Sequence, residues 1–428
     1  MKPNTMVRSM FAALALAGSL GALVASAPDA AAQGAAVPLR MTVWTGNKAH
    51  LDLFNGIAAD YQKANLNVQV TFETLPFETY TTTLTTQIAG GNPPDLAWIY
   101  ENSAPDFVAS GALLPLKTAL EGTPGYNSAD LTPSALRLWQ RNGEIYAYPF
   151  STSPFAVFVN NDLVKQAGQK TPAEHVGAGT WTWDNAIATA SAVNAKTGKG
   201  GLVVRDFDYK LWDNLATIWN GWGAAPWSED GKTCGFDQPA MVDAMTFVYK
   251  AIFTDKAMPG PGTSADFFAG DAAMTITQIS RASLLPKEGF AWDLVPLPKG
   301  PKGEYAVVGQ AGIGVFKNSP RAQEAAKFLA FMTNPENSAK LAQFFPPPRK
   351  SLLTLETLAK TNPLLKPEQI ENVVIKGIAT GEVKPSHTGY AQLSQLVRAG
   401  LDAVWTPQAE VKPALASICQ RIRPLLAR

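Results

Sequence analysis

The residues best suited to chemistry in this chain are few and scattered. Asp206-Phe-Asp208 sets two carboxylates two residues apart, which could serve a glycosidase pair or part of a Ca²⁺ loop. A bare D-x-D is too common to carry either role alone. Ser228-Glu-Asp-Gly231 reads as a turn rather than a metal loop. His50, His175, His387, Cys234 and Cys419 lie far apart in sequence, so neither a metal site nor a cofactor is expected. The chain has no G-x-x-x-x-G-K-[ST], no H-E-x-x-H and no G-x-S-x-G. Gly309-Gln-Ala-Gly312-Ile-Gly314 has the wrong order for a dinucleotide loop. It falls in a strand-like run, where glycine serves sheet packing.

The aromatic residues are more informative. Of 11 Trp, five (Trp181, Trp183, Trp212, Trp219 and Trp222) crowd one stretch, with Trp227 just beyond. Aromatic rings cover the apolar C–H faces of pyranoses, while Asp, Glu, Asn and Arg meet hydroxyls. Core packing uses the same Trp residues equally well. Trp212 and Trp219 share a helical face at i, i+7, either core or binding platform.

The elements that must position these residues alternate. Leu39–Thr45 reads as a strand, and Leu51, Phe54, Ala58 and Tyr61 recur at helical spacing. Val68, Val70 and Phe72 alternate as a strand. Tyr80, Leu84 and Ile88 predict a helix, which the Gly90–Pro94 turn stops. Asp95–Tyr100 is a third, apolar strand. Strand–helix–strand–helix–strand predicts a parallel sheet covered by helices, with ligands beyond the strands' carboxyl ends. Further on, strands are expected at 155–160, 272–277 and 306–316, and helices over 182–196, 209–221 and 240–254. From Arg321 the chain is mostly helical, broken at Pro346-Pro-Pro348. The class is α/β.

Composition narrows the function. At 428 residues, with roughly 100–200 per domain, two or three domains are expected. A net charge of +1 with no basic runs leaves no electrostatic footprint for nucleic acid. Lys2 and Arg8 precede an apolar run from Met10 to Ala25, followed by Ala25-Ser26-Ala27 and Ala30-Ala31-Ala32, the layout of a secretory signal peptide. The apolar run falls short of the ~20 residues of a membrane-spanning helix. Residues 1–32 are expected to be removed and the product to be periplasmic.

Several stretches together resemble the extracellular solute-binding proteins of ABC importers, family 1, the group that includes maltodextrin-binding protein. They are Gly90-Gly-Asn-Pro-Pro-Asp-Leu96, Ala109-Ser-Gly-Ala-Leu113, Gly143-Glu-Ile-Tyr-Ala-Tyr-Pro149, Asn160-Asn-Asp-Leu163, Thr180-Trp-Thr-Trp-Asp184 and Gly270-Asp-Ala-Ala-Met274. Trp292-Asp-Leu-Val-Pro-Leu-Pro298 and Ala322-Gln-Glu-Ala-Ala-Lys-Phe-Leu329 follow. Each is weak alone; their order covers residues 39 to about 350.

The resemblance implies a two-lobed periplasmic-binding-protein clamp of type II kind, with three interlobe crossings and a helical C-terminal tail. The crossings are expected near 150–154, 305–309 and 346–349. The lobes are expected at 33–150 plus 306–346 and at 151–305 plus 347–428. A monomer would close on a small-molecule ligand, a carbohydrate or derivative, and hand it to a membrane permease without chemistry. The empty clamp is expected to be open. By position, Trp44, Asn47 and Lys48 follow the first strand, Glu73 ends the second, and Tyr100, Glu101, Asn102 and Ser103 follow the third. Ser153 and Phe155 stand at the first crossing, and Asp208, Tyr209 or Trp212 in the middle region. Ser280 replaces a stacking Trp of maltodextrin-binding protein, which argues against a long maltodextrin. Arg281 or Arg349 could instead anchor an anionic polyol, such as a sugar phosphate or sulfonate. A secreted carbohydrate-active enzyme using Asp206 and Asp208, or Glu73 and Glu101, is the competing class. By the same resemblance Cys234 and Cys419 share the second lobe, where a disulfide and two buried thiols are both open readings.

The expected mature N-terminus is Gln33, since Pro28 disfavours the earlier small-residue site. Intact mass of protein exported by a native host checks this; retention of residues 1–32 in that material would reject export.

Overall fold

A computed structural model describes residues 36–286, 288–361 and 363–427. The signal peptide expected over residues 1–32 and its expected cleavage site lie outside the described residues. The chain opens with β1 (Val37–Val43), α1 (Lys48–Ala64), β2 (Val68–Thr74), α2 (Tyr80–Ala89) and β3 (Leu96–Tyr100). β1 pairs in parallel with β2, Val37 opposite Val68, and with β3, Met41 opposite Leu96. The Asn47 side chain caps α1 by accepting from the Ala49 N–H. The helix then buries His50, Phe54, Ile57 and Tyr61 on one face. Asp95 ends the Gly-Asn-Pro-Pro-Asp turn fully buried, accepting from the Arg40 N–H, the Ser319 hydroxyl and Arg321 Nε.

The remaining strands of the main sheet are β4 (Ala147–Asn160), β5 (Gly200–Val204), β6 (Ala272–Gln278), β7 (Trp292–Val295), β8 (Val307–Val315) and β9 (Glu382–Val383). The strand order is β2-β1-β3-β8-β4-β6-β5, with β9 on β8 and β7 on β4. β4 belongs to both halves. Through Pro154 it pairs antiparallel with β8; from Phe155 it pairs with β6 and β7. The first lobe carries β1–β3, and the second carries β5–β7. In the second lobe, α3 (Trp183–Thr197), α4 (Pro239–Phe253), α6 (Tyr390–Leu401) and α7 (Val411–Leu426) build one core. The tail from Leu358 to Ile378 covers the other face of its sheet. α5 (Ala322–Met332) returns to the first-lobe core.

Most elements lie where periodicity put them, but the helix expected over 209–221 does not form. Asp206, Asp208 and Tyr209 take positive φ values of 60°, 35° and 56°, so the chain turns sharply after β5. Helical turns begin only at Trp212. β5 and β7 escaped sequence reading. β5 opens with Gly200-Gly201, a poor strand signal, yet a Cβ at Gly201 would lie 2.4 Å from the Ala257 carbonyl oxygen. The glycines of 309–314 serve packing, as expected: a Cβ at Gly312 would lie 2.8 Å from the Trp139 ring.

Cys234 and Cys419 form a disulfide, Cα–Cα 5.6 Å, tying the loop before α4 to α7. The bridge spans a sequence separation of 185, so its loop-closure effect is large. Thiol counting under denaturing, non-reducing conditions should find no free thiol. Cys419→Ser should lower the unfolding free energy by a few kcal/mol, up to about 5. Two free thiols in the purified exported protein would reject the bridge.

Candidate functional site

A cavity of about 310 Å³ lies between the lobes, where strands of both end. From the first lobe it takes the segment after β1 (Trp44 to Asn47, with His50) and the end of β3 (Trp98, Tyr100, Glu101). From the second it takes Asp206 after β5 and Gln278 to Leu284 at the end of β6. Ser153 of β4, Gln310 of β8 and Phe345 line the hinge side. This is the carboxyl edge that parallel α/β sheets offer to ligands.

The first-lobe wall is aromatic. The Trp44 ring meets Phe77, Tyr80, Trp98 and Tyr100 edge-on, with centroids 4.8–6.1 Å apart. These neighbours lock its rotamer and leave it half-buried. His50 Nδ1 shares a hydrogen with the Thr45 hydroxyl at 2.9 Å. Its ring contacts Phe344 and Phe345. Burial first, and the Arg281 charge second, lower its pKa to about 4, so it is neutral near pH 7. His50 Nε2 and Trp98 Nε1 are buried in this wall without a protein hydrogen-bond partner, a state that costs about 1–3 kcal/mol per group.

The facing wall is polar. Arg281 donates to Asp206 at 3.0 Å, and the Ser280 N–H donates to the Ser153 hydroxyl at 3.1 Å. At one end of the cavity Lys384, fully buried, donates to the Tyr100 hydroxyl, and to Asp213 and Asn214 at 2.9 Å each. Its ammonium is 3.3 Å from Glu101 Oε1, an oxygen that accepts no aligned hydrogen bond. Burial raises the Glu101 pKa to about 7 against the opposing pull of Lys384.

Of the residues read from sequence, Trp44, Asn47, Tyr100, Glu101, Ser153, Asp206, Ser280 and Arg281 line this cavity. The others do not. Lys48 is exposed and pairs with Asp52, and Glu73 bridges to Arg40. Asn102 and Ser103 turn away from the lining, the Ser103 hydroxyl donating to the Tyr100 carbonyl. Phe155 and Trp212 are core; the Trp212 indole donates to the Ser394 hydroxyl, so Trp212 and Trp219 form no platform. Asp208 is exposed beside Lys210, and the Tyr209 hydroxyl donates to the Pro259 carbonyl. Arg349 cannot meet a ligand. It is fully buried, donating to the Thr333 and Asn127 carbonyls beneath the Tyr126 ring. Sequence reading missed His50, Phe77, Asn214, Gln278, Gln310 and Lys384. His50 carried a signal, a lone polar position on the apolar face of α1. Lys384, in a short connection between tail helices, carried none.

The model of bacterial extracellular solute-binding proteins matches residues 47–339, and the chain belongs to that family. A relative is the Escherichia coli sn-glycerol-3-phosphate-binding periplasmic protein UgpB, 24% identical over 377 residues, covering 79% of this chain and 81% of UgpB. The Listeria monocytogenes ABC substrate-binding protein Lmo0181, solved with cycloalternan, shares the fold at TM-score 0.79 and 21% identity, covering 92% of this chain and 99% of that one. Maltose-bound Thermotoga maritima MalE3 does so at TM-score 0.77 and 21% identity, covering 91% and 100%.

The two shifted groups of the wall oppose each other with pH. Between about 4 and 6.5 the unfolded chain protonates His50 while the folded chain does not. The stability His50 contributes is therefore complete above 6.5 and lost as pH falls toward 4. Glu101 holds its proton in the folded state up to about 7, so its burial costs stability as pH rises from 4.5 to 7. The stability difference between wild type and His50→Asn, from urea unfolding, isolates the first effect. It should shrink by about 2–3 kcal/mol between pH 7 and pH 4. A difference independent of pH would show that His50 titrates normally.

Proposed function

We propose that the protein is the periplasmic receptor of an ABC importer and takes up a neutral, sugar-like solute between its lobes. The observation that carries this is the charge of the cavity wall. Its acidic and basic side chains are His50, Glu101, Asp206 and Arg281; His50 is neutral near pH 7, burial holds the Glu101 proton up to about pH 7, and Arg281 already donates to Asp206. An anion there would face the Asp206 carboxylate, the Glu101 carboxyl and a guanidinium whose charge is largely spent. A neutral polyol finds the Trp44 ring on one side and Glu101, Asp206, Asn214, Gln278 and Gln310 for its hydroxyls. The lobes of this receptor are residues 33–150 plus 306–346 and 151–305 plus 347–428. It acts as a monomer, delivers its solute to a membrane permease, binds no nucleic acid and catalyses no reaction. The carboxylates of the competing enzyme are engaged, Asp206 by Arg281, Glu101 beside Lys384, and Glu73 by Arg40.

A second reading, an anionic polyol phosphate, is favoured by the position of Arg281 in the wall and by the glycerol-phosphate relative. A thermal-shift screen of neutral mono- and disaccharides against sn-glycerol 3-phosphate separates the two. A neutral sugar at 100 Kd should add about 2.7 kcal/mol of stability. Trp44→Ala should weaken that binding by about 1–3 kcal/mol through lost ring contact. A response to sn-glycerol 3-phosphate alone, abolished in Arg281→Ala and weakened in Arg281→Lys, would transfer the assignment to the anionic ligand. New reducing ends released from oligosaccharides would restore the enzyme.

A further inference from the structure

Lys384 is the last residue one would choose to bury, yet its side chain is fully enclosed. It follows β9, whose pairing with β8 (Val307 opposite Glu382) fixes the backbone beside a crossing strand. From there the ammonium reaches both lobes. Tyr100 and Glu101 come from the end of β3 in the first lobe, and Asp213 and Asn214 from the turn after β5 in the second. The Tyr100 and Phe155 rings close over it, 4.8 and 5.8 Å from centroid to nitrogen. The same stretch makes a second stitch, the Gly389 N–H donating to Asp106 of the first lobe at 2.7 Å. Arg281, the cation of the cavity wall, is spent within its own lobe on Asp206.

We propose that Lys384 is an interlobe latch: one ammonium, bonded to the Tyr100 hydroxyl and set beside Glu101 in the first lobe and bonded to Asp213 and Asn214 in the second, holds the lobes together at one end of the cavity without solute. Its physical basis is the cost of separating a buried charge from its partners. Opening along this seam leaves Lys384 with Asp213 and takes the ammonium away from the Tyr100 hydroxyl and Glu101, in surroundings that water must then re-enter. The latch also presets the wall. Glu101 and Asn214 are both cavity residues and both partners of Lys384, so a solute meets acceptors already oriented. The solute-free clamp is thus biased toward closure, against the open state expected from three hinge crossings alone. The inference stands on the seam and not on which solute binds.

Small-angle scattering and amide hydrogen exchange of extensively dialysed, solute-free protein test it. The variants are Lys384→Met and the neutral triple Lys384→Met/Glu101→Gln/Asp213→Asn, which leaves neither an unpaired buried ammonium nor an unpaired buried carboxylate. With unchanged far-UV circular dichroism, each should show a larger radius of gyration than wild type. Amides of 100–106 and 384–390 should exchange at least about tenfold faster, the loss of one charged hydrogen bond or more. If Lys384→Met fails to fold, the neutral triple decides. Wild-type scattering and wild-type exchange in both segments of that triple variant would overturn the latch.

Discussion

The structure depends on one strand shared by two lobes. β4 runs for 14 residues, every one of them buried, and changes partner in its middle. Pro154 opposes Val308 of β8, and the next residue, Phe155, opposes Gln278 of β6. The switch falls at the residue that has no N–H to give, where a ladder is easiest to interrupt. Two residues earlier the Thr152 N–H leaves the ladder and donates to the Pro346 carbonyl at 3.0 Å. The first and third crossings are thereby tied side by side, with β8 as the second. Arg349 secures the third by holding first-lobe carbonyls at Asn127 and Thr333. Its burial serves the hinge, not the ligand.

Because the lobes share strands, their carboxyl edges face one another across a narrow gap, and the cavity inherits a division of labour. The first lobe ends its strands in rings that lock one another; the second ends them in a sharp turn and a short 3₁₀ segment that bring Asp206 and Arg281 together. The three irregular residues after β5, Asp206, Asp208 and Tyr209, sit where the chain must reverse at the sheet edge. Positive φ in non-glycine residues is costly and is kept where surrounding structure fixes it. Lys384 adds a charge that neither lobe could bury alone. It is tolerated because carboxylates, an amide and aromatic faces surround it on all sides.

Local order was legible in the sequence because it is written in local terms. The strands and helices from Leu39 to Tyr100 follow from periods of two and 3.6 and from the Gly90–Pro94 stop. The run of glycines at 309–314 was legible as packing. The 209–221 segment was not. Its Trp spacing fits a helix, but the turn after β5 uses that length to reverse direction, and Trp212 and Trp219 are drawn into the core. β5 was missed because its glycines answer to neighbours distant in sequence, Ala190 and Ala257, which no window contains.

The site divides along the same line. By itself the sequence determined the α/β class, the family, the absence of motifs for cofactor chemistry, and part of the ligand edge, Trp44 and Asn47 after β1 and Tyr100 and Glu101 at the end of β3, because a ligand edge lies where parallel strands end. Only the tertiary structure decided which polar residues face the cavity and which are spent elsewhere. Glu73 goes to Arg40, Arg349 to backbone carbonyls and Tyr209 to the Pro259 carbonyl. Lys384, from a stretch with no motif, becomes the meeting point of both lobes. The reason is physical: a charged side chain's role is set by what lies within a few ångströms of it. For Lys384 those neighbours come from 171 and 284 residues away along the chain.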